Sequence, residues 1–124
     1  MEQKFKTIHI LEAVTGKALA GTYRGFVQVI TFMCRIKTPV DKISMEYFYL
    51  IHESNQNAYL ESITSQHPEL KDIIEESKKL KTTPAGWVDW AQNKVNSLGD
   101  ELELIPCDEK SLVQVLPPQI VGNN

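Results

Sequence analysis

Residue types that build metal and disulfide sites are scarce in this sequence. It has only two cysteines, Cys34 and Cys107, and they lack the close spacing of a metal-binding pair. Its three histidines are scattered along the chain. His52-Glu53 could begin a zinc-protease motif, but Gln56 occupies the position that needs a second histidine. We therefore expect neither a metal ion nor another cofactor.

Motifs of catalysis and phosphate binding are missing as well. No serine lies in a G-x-S-x-G motif, and no cysteine lies beside a recognisable base motif. Thr15-Gly16-Lys17 lacks the upstream glycine and the Gly-Lys-Ser/Thr ending of a phosphate-binding loop. We interpret Gly16 as the end of a helix instead. The sequence predicts a protein that is not an enzyme.

The sequence also lacks long apolar runs and a strong excess of basic charge. No apolar run approaches the roughly 20 residues that span a bilayer. The formal net charge of −3 argues against a dedicated nucleic-acid binder. Because the start of the sequence has no signal-peptide pattern, the reducing cytoplasm is the simplest compartment. We expect a cytoplasmic protein without membrane contact.

The composition itself is that of a globular domain. Hydrophobic residues make up 42% of the chain and charged residues 23%. We expect one globular domain over residues 1–118, followed by a flexible tail at 119–124. The predicted fold class is α+β and mainly helical, with about five helices packed on a small C-terminal β-hairpin.

The clearest local pattern lies between Thr83 and Pro106. Thr83 suits an N-cap and Pro84 the first helical position. The apolar residues that follow share one helix face: Trp87, Trp90, Ala91, Val95 and Leu98. Gly99 is placed to end the helix in a left-handed conformation. Alternation over residues 101–104 predicts a strand, which we pair in a hairpin with 112–116.

Apolar spacing predicts further helices along the chain. One begins near Thr7, which can cap it, and a second covers 23–34, where a strand over 26–32 remains the alternative. A third follows Val40, and its broad apolar stripe, which includes Met45 and Leu50, suggests a helix that is either central or covered on two sides. We interpret the polar run Ser54–Asn57 as a break. A helical pattern resumes over 58–63, and another begins at Pro68.

Three short motifs follow one another along the chain: Thr15-Gly16-Lys17, Gln66–Leu70 and the stretch from Trp87 to Leu104. Their order resembles that in a family of small uncharacterised phage and prophage proteins. The resemblance covers roughly residues 7–106. Phe48–Asn57 (FYLIHESNQN) departs from the segment usual in that family. The resemblance implies a phage or prophage gene product that acts in the bacterial cytoplasm, and it transfers no catalytic residue.

In that setting we expect a protein that binds and blocks a host protein, for example as an anti-CRISPR or other anti-defence inhibitor. The alternative partner is a second copy of the chain, which would give a homodimer. Tyr47, Phe48 and Tyr49 cannot all face one side of a helix, so Tyr49 should be partly exposed. The candidate partner-binding residues are Tyr49, His52, Glu53, Tyr59, Glu61, Glu75 and Glu76.

Two other functions remain open from the sequence. A small-molecule protein, for instance one that sequesters a nucleotide signal, would need His52, Arg24 or Arg35 near a tryptophan. A DNA-binding regulator would use one of the short helices and is the weaker alternative. The two tryptophans themselves fit a protein core better than a ligand platform.

Overall fold

The computed structural model describes residues 1–117, and the expected tail at 119–124 lies outside the described residues. Five helices and two short strands follow one another along this part of the chain. In order they are β1 (Gln3–Lys6), α1 (Thr7–Thr15), α2 (Arg24–Met33), α3 (Met45–Gln66), α4 (Leu70–Lys79), α5 (Pro84–Leu98) and β2 (Glu101–Leu104). The mainly helical α+β class is confirmed, and residues 24–33 form a helix and not a strand.

The centre of the fold is α1. It contacts α2, α4, α5 and both strands. Its buried apolar side chains are Ile10, Leu11, Ala13 and Val14. The helix ends as predicted at Gly16, whose φ of 73° is left-handed and whose backbone N–H donates to the Glu12 carbonyl.

The C-terminal strand has a different partner from the predicted one. Antiparallel pairing joins β2 to β1, with Phe5 opposite Leu102. The predicted hairpin with 112–116 is wrong, because that segment is not a strand. Its backbone bonds to side chains of α3 instead. The Asn55 amide bonds to both the N–H and the C=O of Val113, and the Tyr47 hydroxyl donates to the Val115 carbonyl over 3.1 Å.

A single helix, α3, runs through the predicted break at Ser54–Asn57. The prediction failed because Asn55 points inward, where its side chain is buried and fully bonded. Its neighbours Ser54, Gln56 and Asn57 are exposed, so the polar run is one turn of an amphipathic helix. The Ser44 hydroxyl accepts a hydrogen bond from the Tyr47 N–H at the start of the helix.

The predicted helix and strand between Thr83 and Pro106 form as α5 and β2. The Thr83 hydroxyl accepts from the Gly86 N–H over 3.1 Å, as an N-cap should. Gly99 has a φ of 99° and a ψ of 161°, which is not the left-handed helical conformation predicted but is also accessible mainly to glycine. Thr7 does not cap α1, because its hydroxyl donates to the Gly99 carbonyl and so ties α1 to this turn.

The two tryptophans pack edge-to-face, with ring centroids 5.3 Å apart. Trp90 is buried, and Trp87 is half-buried against the core. The prediction that they belong to the core is confirmed for Trp90 and holds in part for Trp87. Their helix, α5, therefore contributes to the core, and the candidate binding surface lies on another helix.

Candidate functional site

The first two turns of α3 present large apolar side chains to solvent. Met45 is 56% exposed, Tyr49 53% and Leu50 42%. The exposure predicted for Tyr49 is confirmed. Two exposed carboxylates, Glu46 and Glu53, lie beside them. At 3.6 residues per turn these five residues cover about 140° of the helix, and we call them the α3 surface.

A layer of packed rings lies directly beneath the α3 surface. Phe48 is buried and meets Phe26 of α2 edge-to-face, with centroids 5.6 Å apart. On its other side Phe48 stacks on His52 at 6.0 Å and an interplanar angle of 11°. Tyr49 lies 6.2 Å from the Phe48 ring. The backbone that carries Tyr49 is therefore held by α2 and is pre-organised for contact.

His52 is half-buried at the edge of the α3 surface. Its Nδ1 lies 2.6 Å from the hydroxyl of Tyr59. Burial lowers the pKa of His52, against the opposing effect of Glu53, and burial raises the pKa of Tyr59. Burial therefore favours a neutral imidazole beside a protonated phenol. The phenol donates the hydrogen bond to Nδ1 when the imidazole proton is on Nε2, and its oxygen accepts the bond when that proton is on Nδ1.

The structure separates the remaining candidate residues from Tyr49. Tyr59 has no exposed surface, and its hydroxyl is hydrogen-bonded to His52, so its side chain is not accessible to a partner in this structure. Glu61 is exposed but lies twelve residues further along α3 than Tyr49. That separation is about 18 Å along the helix axis. Glu61 therefore belongs to a different part of the surface.

Glu75 and Glu76 on α4 have partners within the chain. The Glu76 carboxylate accepts a hydrogen bond from the Trp90 indole over 2.6 Å and pairs with Lys94 at 2.8 Å. Glu75 pairs with Lys78 at 2.9 Å. These bonds to Lys78 and Lys94 are the main reason that the pKa of each carboxyl is lowered. Glu76 thus joins α4 to α5, which is a structural role.

Sequence reasoning missed Met45, Glu46 and Leu50 as members of the site. Met45 and Leu50 were included in the apolar stripe that should be buried. Within residues 1–117 no second layer covers them, and α2 and the segment 112–116 pack on the other side of α3. The signal that could have found them is the width of the stripe, which exceeds what one packing face needs.

The two cysteines lie near each other in the core. Cys34 follows α2, Cys107 follows β2, and the Cys107 N–H donates to the Met33 carbonyl over 3.0 Å. Burial, with a smaller contribution from Cys107, raises the pKa of the Cys34 thiol to about 12, and burial also raises the pKa of Cys107. Both thiols stay protonated at neutral pH, which makes them poor nucleophiles.

The residues suggested for a nucleotide pocket do not converge. Arg24 lines a groove beside β1, whereas the Arg35 side chain donates to the Cys107 carbonyl over 2.7 Å. His52 lies against Phe48. No tryptophan lines the groove that contains Arg24.

Within residues 1–117, no three His, Cys, Asp or Glu side chains come together as a metal-binding group. No helix in the described part of the chain is both long enough and apolar enough to cross a membrane.

No protein-family model matches the sequence, and comparisons with curated proteins and with solved structures give no match. The fold defines a small, mainly helical α+β protein, and three of its exposed large apolar side chains, Met45, Tyr49 and Leu50, lie on α3.

Proposed function

We propose that the protein is a binding protein that docks a partner protein on the α3 surface. The observation that carries the proposal is the exposure of Met45, Tyr49 and Leu50 on successive turns of one helix. Apolar area gains about 25 cal/mol per Å² when it leaves water. Tyrosine is also among the residues that dominate binding energy at protein interfaces.

The charges beside the patch specify the kind of partner. Glu46 and Glu53 are exposed, and neither forms an ion pair with any other residue in 1–117. A matching surface has an apolar pocket for Tyr49 with a basic rim around it. Nucleic-acid-binding proteins carry such basic surfaces.

The proposed mechanism is steric: by covering a basic surface, the protein would keep nucleic acid away from it. The resemblance of the sequence to phage proteins supports a host protein as the target, in the bacterial cytoplasm. An inhibitor of a defence system, such as an anti-CRISPR, is the sharper form of this proposal, and it rests on that resemblance alone.

A pull-down from bacterial lysate with matched variants tests the proposal. We expect the wild-type chain to retain a stoichiometric partner and Tyr49→Ser to lose it, since an aromatic anchor contributes about 2 kcal/mol or more, roughly 30-fold in affinity. The control is Val88→Ser on α5, because Val88 is 52% exposed and lies outside the α3 surface.

Two results would contradict the proposal. One is a partner that Tyr49→Ser retains as well as the wild type does. The other is the absence of any stoichiometric partner in lysates of susceptible hosts. Glu53→Lys gives an independent reading, because reversal of a rim charge should slow association most at low salt.

A further inference from the structure

A groove of about 690 Å³ lies beside β1. All four residues of β1, Gln3–Lys6, line it, whereas β2 contributes only Glu101. Its opposite wall consists of α2 and the segment that follows it, including Ile36, Thr38 and Val40. The groove therefore follows the edge of β1 that β2 does not cover.

Backbone groups of β1 that have no partner within residues 1–117 lie on the edge that the groove follows. The Thr7 N–H donates to the Asp100 carbonyl over 2.8 Å, in register with the ladder that joins β1 to β2. Because hydrogen-bonded positions alternate in an antiparallel pair, residues 3, 5 and 7 bond to β2. The N–H and C=O of Lys4 and the N–H of Lys6 then point to the open edge. An open edge of this kind is a template for a further strand.

Most of the charged side chains that line the groove are basic. Lys4, Lys6 and Arg24 line it, against the single carboxylate of Glu101. None of the three cations forms an ion pair within residues 1–117. Across the ladder Lys6 faces Glu101 and Lys4 faces Glu103, which partly offsets the charge of both lysines, but Arg24 stands on the opposite wall. A positive groove in a chain of net charge −3 favours an acidic ligand.

The groove also has an apolar floor with a fixed shape. Phe5 and Phe32 meet edge-to-face at 5.0 Å. A β-carbon at Gly25 would overlap the His9 ring, so only glycine lets His9 pack against the first turn of α2. His9 is held there by the buried Glu12 carboxylate, 3.1 Å from Nδ1.

We propose that this groove binds an extended acidic segment of a partner protein, which adds to β1 as a third strand. Main-chain hydrogen bonds to Lys4 and Lys6 would supply affinity. Four residues of β1 span about 13 Å at 3.3 Å per residue, so the matching segment is short. Its acidic residues stand two apart, which places them on the face of the Lys4 and Lys6 side chains.

Fluorescence anisotropy with a labelled peptide of alternating Glu and Val tests the proposal at low salt. Lys4→Gln removes one charge, whereas Lys4→Pro removes the same charge and the N–H that faces the groove. The β1–β2 ladder does not use that N–H, so proline is compatible with the edge position. We expect Lys4→Pro to weaken binding about three- to tenfold more than Lys4→Gln, the effect of one lost hydrogen bond.

If Lys4→Pro fails to fold, modified peptides test the proposal with the wild-type protein. Two further peptides carry N-methyl groups, one at the odd and one at the even residues. We expect the peptide whose methyl groups replace the N–H groups that face β1 to bind the wild-type protein poorly, and the other to bind well. A Lys-Val peptide of the same length should not bind. Tyr49→Ser should bind the acidic peptide as the wild type does, which separates this site from the α3 surface.

Three outcomes would overturn the proposal: no binding of the acidic peptide at low salt, equal affinities for Lys4→Gln and Lys4→Pro, or equal binding of both N-methylated peptides. Binding of ATP that competes with the peptide and is weakened equally by Lys4→Gln and Lys4→Pro would assign the groove to small anionic ligands instead.

Discussion

At the residue scale, the pair formed by His52 and Tyr59 links the core to the α3 surface. Tyr59 is buried and His52 is half-buried, a 2.6 Å hydrogen bond joins them, and burial favours the neutral imidazole. Protonation of His52 makes both ring nitrogens donors and places a charge in this half-buried position. The charge state of one side chain therefore affects the packing beneath Tyr49.

This pairing predicts how stability depends on pH. The folded-state pKa of His52 lies below the ordinary value of 6.5, because burial disfavours the charged form. The unfolded chain therefore binds more protons than the native chain, and the contribution of His52 is complete above pH 6.5. It is lost as the pH falls from there through the folded-state pKa.

Urea unfolding at pH 7.5 and pH 5.5 measures this effect. We expect the free energy of unfolding of the wild type to fall between the two conditions, and His52→Gln to show a smaller fall. The lowered pKa values of Glu75 and Glu76 affect stability in a separate pH range, below the ordinary pKa of 4.5. An unchanged pH dependence in His52→Gln would refute the assignment.

At the element scale, α3 carries two tasks on opposite faces. Its inner face holds the segment 112–116 through Asn55 and Tyr47, and its outer face presents Tyr49 to solvent. A helix used on both faces has little amphipathic contrast. This is why the sequence showed a broad apolar stripe but placed only Tyr49, and not Met45 or Leu50, on its exposed side.

Asn55 provides a direct test of the inner face. Asn55→Ala removes the acceptor for the Val113 N–H, at 2.7 Å, and the donor for the Val113 C=O. We expect a loss of about 1–3 kcal/mol of unfolding free energy, together with faster hydrogen exchange at the Val113 amide. Gln56→Ala, next to it on the exposed side, should leave both unchanged. A stable Asn55→Ala variant with a protected Val113 amide would exclude this role.

An element could be predicted from the sequence when the interactions that define it join residues close together in the chain. Thr83, Pro84 and Gly99 act on neighbours a few residues away, so the sequence predicted the limits of α5 well. The pairing of β2 with β1 joins distant parts of the chain, and no local pattern marks β1 as the partner. Asn55 looked like a breaker because its partner Val113 lies 58 residues away.

The candidate site was predictable to a similar degree. Tyr49 could be assigned to the surface because three consecutive aromatic residues cannot share one helix face. Tyr59 is hydrogen-bonded to His52, and Glu76 is hydrogen-bonded to Trp90 of another helix. Such tertiary partners decide whether a side chain is free for binding, and one sequence does not reveal them.

At the scale of the whole molecule, charge is unevenly distributed despite the small net charge. Glu46 and Glu53 flank the apolar patch on α3, whereas Lys4, Lys6 and Arg24 line the groove beside β1. The α3 surface therefore favours a basic partner, and the groove favours an acidic one. Added salt should therefore weaken association at both, and substitutions at one should leave the other intact.

Site-specific photo-crosslinking tests the central claim, that the α3 surface docks a partner protein, most directly. A photoreactive phenylalanine analogue would replace Tyr49 in one chain and Val88 in another, since the two positions are almost equally exposed. After irradiation in a bacterial host, we expect one discrete crosslinked protein from position 49 and none from position 88. Absence of a crosslink at position 49, or the same product from both positions, would contradict the claim.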